Sequence, residues 1–198
     1  MSTTQALLQP IQVGDLQLKN RVWMAPMTRS RANNPENKVF DIHAKYYAQR
    51  ASSGLIISEG SQISPRAVGY INTPGIYSEA QTEAWKQVTQ AVHEAGGHIF
   101  IQLWHVGRMS HPDFHGGELP LSASATNPNS KSYTPQGFKD TVTAKEMTLE
   151  EIKQTIADFK NGAKNAMEAG FDGVEIHSSN GYLLHQFFNS TSNHRTDE

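Results

Sequence analysis

His177, Asn180 and Tyr182 stand at i, i+3 and i+5, directly after the run Phe171-Asp172-Gly173-Val174-Glu175-Ile176. A loop of this kind can aim an imidazole, a carboxamide and a phenol into one pocket. The first two can both donate hydrogen bonds to a single ligand oxygen. The phenol, with an ordinary pKa of about 10, holds its proton at neutral pH and releases it only to a strongly basic acceptor, such as a carbanion or enolate. Taken singly, each residue also has a plain structural use, the Asn as a turn former and the Tyr as a core or rim residue.

Three further positions pose the same question. Gln102 interrupts the apolar run Ile99-Phe100-Ile101-Gln102-Leu103-Trp104. A buried amide requires a partner, and the edge of a heteroaromatic ring or a backbone group of a neighbouring loop would serve. The Thr28 hydroxyl could donate to a carbonyl oxygen or cap the following turn, and Trp104 could wall a flat ligand or simply pack. His105, His111 and His115 lie close together, but their spacing is not a standard ligand pattern and Pro112 precludes a regular helix through them, so no metal site is expected. There is no Gly-x-Ser-x-Gly, no Walker phosphate loop and no Gly-x-Gly-x-x-Gly after a strand, which disfavours a serine hydrolase, a nucleoside triphosphatase and a Rossmann dinucleotide domain.

The elements that must position these residues are legible as an alternation. Ile11 and Val13, then Leu16 and Leu18, flank the turn Gly14-Asp15 and predict a small hairpin. Arg21-Val22-Trp23-Met24-Ala25-Pro26 reads as a buried strand. Asp41 to Ala51 reads as a helix, with Tyr46, Tyr47 and Ala51 facing inward and Ser53-Gly54 stopping it. Leu55-Ile56-Ile57 is a second buried strand, ending in Ser58-Glu59-Gly60. Ser78 and Gln81 have capping-box spacing, and Trp85, Val88 and Val92 follow on one helix face until Gly96-Gly97. His98 to Trp104 is a third strand. Thr148 and Glu151 form a second capping box ahead of the apolar stripe Leu149, Ile152, Ile156, Phe159 and Ala163; Gly170 ends that helix, and Phe171 to His177 is a fourth strand.

Continuous apolar strands alternating with amphipathic helices indicate a parallel α/β sheet. The strand C-terminal ends then share one face. These ends are Pro26-Met27-Thr28, Glu59-Gly60, Gln102-Leu103-Trp104-His105, and His177 through Tyr182. In a barrel, that face carries the active site. An excursion at about 107–146, rich in Gly, Pro, Ser, Thr and Asn, has the length of a functional lid or rim.

Composition narrows the class. Seventeen Lys+Arg against 19 Asp+Glu leave a net charge of −2, without the basic excess of a nucleic-acid binder. No apolar run is long enough for a membrane span, and Met1-Ser2-Thr3-Thr4-Gln5 lacks the features of a signal peptide. There is no cysteine, hence no disulfide, thiolate nucleophile or Cys-ligated metal. The expectation is a soluble cytoplasmic protein.

Three separated motifs in order carry a family resemblance. Asn20-Arg21-Val22-Trp23-Met24-Ala25-Pro26-Met27-Thr28-Arg29 resembles the opening strand of the old yellow enzyme family. Gln102-Leu103-Trp104-His105-Val106-Gly107-Arg108 resembles its third strand, and Glu175-Ile176-His177-Ser178-Ser179-Asn180-Gly181-Tyr182-Leu183-Leu184-His185-Gln186-Phe187, with Asn193-His194-Arg195-Thr196-Asp197, its fourth strand and the following loop. The likeness extends over the whole chain and is nearest the bacterial and plant alkene reductases. Some bacterial members have His where Asn180 stands; either side chain donates to a substrate oxygen.

The resemblance implies a (β/α)8 TIM barrel with noncovalent FMN on its C-terminal face and NAD(P)H as hydride donor. It implies flavin contacts from Pro26, Met27, Thr28, Gly60, Gln102 and His177, with the Thr28 hydroxyl near a ring carbonyl and the small Gly60 permitting close backbone approach. It implies that His177 and Asn180 hold the activating oxygen of an electron-poor alkene (an enone, nitroalkene or maleimide), that Tyr182 donates the proton, and that Trp104 lines the cavity. Four strands in residues 1–198 are about half of such a barrel. The expectation is therefore the N-terminal half of one FMN-binding domain, completed by a missing or separate C-terminal half and inactive as the isolated chain. The alternative is a non-catalytic half-barrel interaction module or fragment that pairs with a complementary chain.

Overall fold

The computed structural model describes residues 6–197. The expectation that Met1–Gln5 is not part of a signal peptide falls on residues outside those described. In chain order the strands and helices are β1 (Ile11–Val13), β2 (Leu16–Leu18), β3 (Trp23–Met24), α1 (Asp41–Ala48), β4 (Leu55–Gln62), α2 (Glu79–Glu94) and β5 (Ile99–Trp104). There follow β6 (Leu121–Ser122), β7 (Lys131–Thr134), β8 (Gly137–Asp140), β9 (Lys145–Glu146), α3 (Leu149–Glu168), β10 (Gly173–Ile176) and α4 (Leu183–Phe188). No helix among the described residues is long and apolar enough to cross a membrane.

The parallel α/β expectation holds. β10, β5, β4 and β3 form a four-stranded sheet in that order, every pairing parallel. Side chains alternate across it. Ile56, Ile99, Ile101 and Leu103 face the helices and join Tyr47, Trp85, Val88, Val92, Ala166 and Phe171 in one buried cluster. Leu55, Ile57 and Phe100 face the other way and pack against Ile11, Val13, Leu16 and Leu18 of the β1–β2 hairpin. The hairpin thus closes the helix-free face near the strand N-termini and leaves the C-terminal ends open.

Both capping boxes form. Ser78 Oγ accepts the Gln81 N–H at 3.2 Å while Gln81 Oε1 accepts the Ser78 N–H at 3.2 Å. Thr148 and Glu151 repeat the exchange at 3.1 and 2.8 Å. Each satisfies two of the donors that a helix start leaves free.

Several expectations need correction. The first sheet strand is only Trp23–Met24 and Trp23 is exposed, because β3 is an edge with a single neighbour. α1 ends at Ala48, and the residues up to Ala51 continue as turns. β4 runs on through Ser58-Glu59-Gly60 to Gln62 and is buried throughout; those polar residues find partners inside, so the strand need not stop. Ile156 stands exposed on α3 rather than in the core, since nothing among the described residues covers that flank. The 107–146 excursion is not bare loop: β6 pairs with β9, and β7 with β8, and Lys139 of that hairpin meets Asp113 at 2.6 Å.

The core hangs most heavily on Trp85. It is fully buried, packs edge-on to Phe171 at 5.3 Å, and donates its indole N–H to the Gly75 carbonyl at 3.0 Å. Trp85→Ala should destabilise the fold by about 3–5 kcal/mol. A denaturant midpoint equal to wild type would contradict this placement of the core.

Candidate active site

The open ends of the sheet frame a polar cleft of about 340 Å³, lined by Pro26, Thr28, Gly60, Gln102, Trp104, Glu175, His177, Ser179, Asn180 and Tyr182. Of the flavin- and substrate-site residues expected from the sequence, all but Met27 line it; Met27 directly follows Pro26 in the chain and is exposed. The convergence follows from strand register. Gly60, Gln102 and Glu175 are direct partners across β4, β5 and β10. Parallel partners point to the same face, so this row presents no side chain, an amide and a carboxylate side by side.

The row depends on an irregularity. Ile57 pairs with Phe100, an offset of 43, whereas Gly60 pairs with Gln102, an offset of 42, so β4 carries one extra residue between them. Such a bulge re-aims side chains. Without it Glu59 would oppose Gln102. With it, a glycine faces the cleft and lies directly against Trp104: a Cβ there would stand 2.5 Å from the indole ring and 3.2 Å from Gln102 Oε1.

Gln102 has a partner that the apolar run did not flag. Its Nε2 donates to the Glu175 carboxylate at 2.7 Å, leaving Oε1 toward Gly60. Trp104 is buried, and its ring stacks with Tyr70 at 5.2 Å and with His177 at 6.0 Å. Tyr182 stands edge-on to both Trp104 and His177, at 5.0 and 4.9 Å. Its hydroxyl meets that of Tyr70 at 2.8 Å. Burial first, and then the Tyr70 hydrogen bond, hold the Tyr182 phenol well above its ordinary pKa, so it stays protonated. Burial lowers the His177 pKa against the opposing pull of Glu175. His177 is then neutral at pH 7. Its Nδ1 accepts the Ser179 N–H at 3.4 Å, which assigns the ring proton to Nε2.

The loop bearing Asn180 is held by backbone conformation and by one amide. Asn180 has φ 56° and Gly181 φ 80°, left-handed values that suit Asn and Gly. Gln186 is fully buried. Its Nε2 donates to Gly181 O at 2.7 Å and Val106 O at 3.1 Å, and its Oε1 accepts the Arg108 N–H at 3.1 Å. One side chain thereby ties the loop after β10 to the loop after β5.

His105, His111 and His115 serve separate local contacts. His105 Nδ1 accepts from Gly107, His111 Nδ1 from Asp113, and His115 Nε2 meets Ser110 Oγ. Tyr70, Glu175, Ser179 and Gln186 were not singled out by the sequence reading as site residues. Glu175 alone carried a usable signal, a charge set between the apolar Val174 and Ile176; Tyr70 lies in a loop without periodicity.

The chain is similar to known proteins over nearly all of its length. The model of the NADH:flavin oxidoreductase / NADH oxidase family matches residues 6–198. The old yellow enzyme homologue from Zymomonas mobilis is 47% identical with a TM-score of 0.94, over 98% of this chain and 54% of that one. Morphinone reductase is 43% identical with a TM-score of 0.92, over 97% of this chain and 53% of that one. Among curated sequences, 12-oxophytodienoate reductase 1 of Oryza sativa subsp. japonica is 48% identical, covering 97% of this chain and 50% of the relative. The chain spans about half the length of the curated relatives it matches. The parallel sheet described above corresponds to that share of a (β/α)8 TIM barrel.

The tight approach at Gly60 is directly testable. Gly60→Ala forces Trp104 out of its stack with Tyr70 and His177, and overpacking of this kind costs about 1–3 kcal/mol. Near-ultraviolet circular dichroism and the denaturant midpoint should both change. An aromatic spectrum identical to wild type would show that the cleft wall has room to spare.

Proposed function

The chain belongs to the NADH:flavin oxidoreductase / NADH oxidase family, and on that premise we propose that it forms half of the catalytic face of an FMN-dependent NAD(P)H oxidoreductase reducing the C=C bond of electron-poor alkenes. Enones, nitroalkenes and maleimides are the substrate classes. The observation that carries this reading is the meeting of a neutral imidazole donor, a carboxamide and a protonated phenol around one indole wall. Each of these groups has a task in polarising and protonating an activated alkene.

The residues present fit a flavin ring. Gly60 keeps the backbone bare where a Cβ would fill the space, and Gln102 turns an acceptor oxygen toward it. Pro26, Met27, Thr28, Gly60, Gln102 and His177 would hold FMN, noncovalently. When bound, FMN would supply the hydride exchange with NAD(P)H and with the β-carbon of the alkene.

The chain's own residues do the rest. His177 Nε2–H and the Asn180 carboxamide N–H donate to the activating oxygen of the substrate. Negative charge develops there as hydride arrives, and donors already in place stabilise it without reorganisation. Neutral His177 is the form that donates from Nε2 while Nδ1 is held by Ser179. Tyr182 delivers its proton to the α-carbon, and the Tyr70 hydroxyl at 2.8 Å can donate to the oxygen left behind. Trp104 excludes water and fixes the plane in which the substrate lies.

We propose further that a complementary half-barrel chain completes the site. β3 and β10 are the two edges of the sheet, and Trp23, Ile176, Ile156 and Phe188 are exposed apolar side chains on or near that unfinished surface. Exposed strand edges and apolar patches of this sort invite association. Alone, the chain would then be inactive. The same surface also supports a second reading, a non-catalytic half-barrel module that only pairs. The proposed setting is the cytoplasm, in keeping with a chain without cysteine.

Tyr182→Phe in the assembled enzyme separates the readings. It removes one hydroxyl and keeps the ring. Flavin reduction by NAD(P)H should persist, while turnover of a simple enone should fall by about 10²–10⁴-fold, as for loss of a general acid. A nitroalkene should lose less, because a nitronate is stable enough to collect its proton from water. Equal, small losses for both classes would remove Tyr182 from the proton-donating role, and absence of any alkene reduction by the wild-type assembly would favour the pairing module.

A further inference from the structure

Glu59 is a buried acid with no place in the chemistry above. It is fully inaccessible, on the central strand β4, next to Gly60. The extra residue in β4 that turns Gly60 toward the cleft sends the Glu59 side chain the other way, toward the helices. There its two oxygens reach two different elements. Oε2 accepts the backbone N–H of Arg29 at 2.9 Å. Oε1 accepts the Tyr47 hydroxyl of α1 at 3.2 Å, and the Glu59 N–H donates back to that hydroxyl at 2.9 Å. Arg29 directly follows Pro26-Met27-Thr28, the segment that forms one wall of the cleft and belongs to neither a helix nor a strand of the sheet beyond Met24.

We propose that Glu59 is a positioning residue: its carboxylate, oriented by Tyr47, holds the Pro26–Thr28 segment against the cleft by accepting the Arg29 N–H. The functional weight of this rests on the reading of the cleft as a flavin site, whereas the clamp itself is a property of the chain. The sheet pairing of β3 ends at Met24, short of that segment. A peptide wall without sheet pairing has few backbone bonds to hold it, and such segments open at low free-energy cost. A hydrogen bond to a buried charged acceptor is among the stronger single restraints available.

The charged and titratable groups that bear on Glu59 are Arg29 and Tyr47; the Arg29 N–H, the Tyr47 hydroxyl, the Arg29 charge and the Ser30 N–H all favour ionisation. Burial outweighs them and pushes the carboxyl up to about 7 from 4.5. The sign follows. Between those two values the folded state keeps a proton that the unfolded state has lost, so this group's contribution to stability declines as pH rises through the window. Ionisation nevertheless strengthens the Arg29 bond.

The test reads the chain's own amides by nuclear magnetic resonance, without flavin. In wild type the Arg29 amide should move downfield and gain exchange protection as Glu59 ionises, with a midpoint near that of the Glu59 carboxyl carbon. Glu59→Ala should reduce protection at Arg29 by about 10- to 100-fold and shift the Thr28 amide toward its random-coil position, while the Trp85 indole signal stays put. Glu59→Gln keeps an acceptor oxygen, so it should restore most of that protection and abolish the pH step. Should Glu59→Ala not fold, the wild-type titration and Glu59→Gln decide alone. An Arg29 amide indifferent to pH across the Glu59 titration, or a pH step that persists in Glu59→Gln, would overturn the proposal.

Discussion

One register error in a parallel sheet organises this molecule. Because β4 holds an extra residue between Ile57 and Gly60, a glycine and not a glutamate stands opposite Gln102. Two consequences follow from that single offset. On the cleft side, bare backbone lies against Trp104, and the Gln102–Glu175 pair sits in line with it. On the helix side, Glu59 is delivered to Tyr47 and Arg29. A regular β4 would bury a carboxylate in the cleft floor and leave the Pro26–Thr28 segment without its inward anchor. The cost of the bulge is met locally by Ser58 and Ser61, whose hydroxyls both donate to the Glu59 carbonyl.

Around that floor the walls are aromatic and mutually dependent. Tyr70, Trp104 and His177 stack in sequence, and Tyr182 stands across the last two. Offset stacks and edge contacts of this kind are worth about 0.5–1.5 kcal/mol each beyond area burial, so no single ring fixes the wall. Precision comes from Gln186, which uses both ends of its amide to lock the loops after β5 and β10 together. Gly107 lies against that amide with no space for a side chain, and its φ of 60° suits glycine. The polar chemistry is therefore carried on loops, but on loops cross-braced by a fully buried side chain.

Much of this was legible in the residues themselves. The two capping boxes, the stripe of Trp85, Val88 and Val92, and the glycine stops at Gly96 and Gly170 report local physics, and each is found where the spacing put it. The grouping of His177, Asn180 and Tyr182 was visible because a strand end and a short loop leave few directions to point. What the spacing could not show was lateral. That Glu175 would meet Gln102 depends on strand register, and that Tyr70 would reach Tyr182 depends on the path of the loop after β4. Neither leaves a periodic trace. The same blindness made β3 look like a buried strand: apolar residues on an edge read like apolar residues in a core.

We propose that this cleft is the ring side of a flavin site completed from outside the chain. Flavin absorbance retained after desalting tests it most directly, measured on the chain alone and on the chain assembled with a complementary half-barrel. Retention should be weak or absent for the chain alone and stoichiometric in the assembly, with quenching of Trp104 fluorescence on binding. An assembly that holds no flavin would contradict the assignment of the cleft, and tight stoichiometric FMN on the isolated chain would contradict the need for a partner.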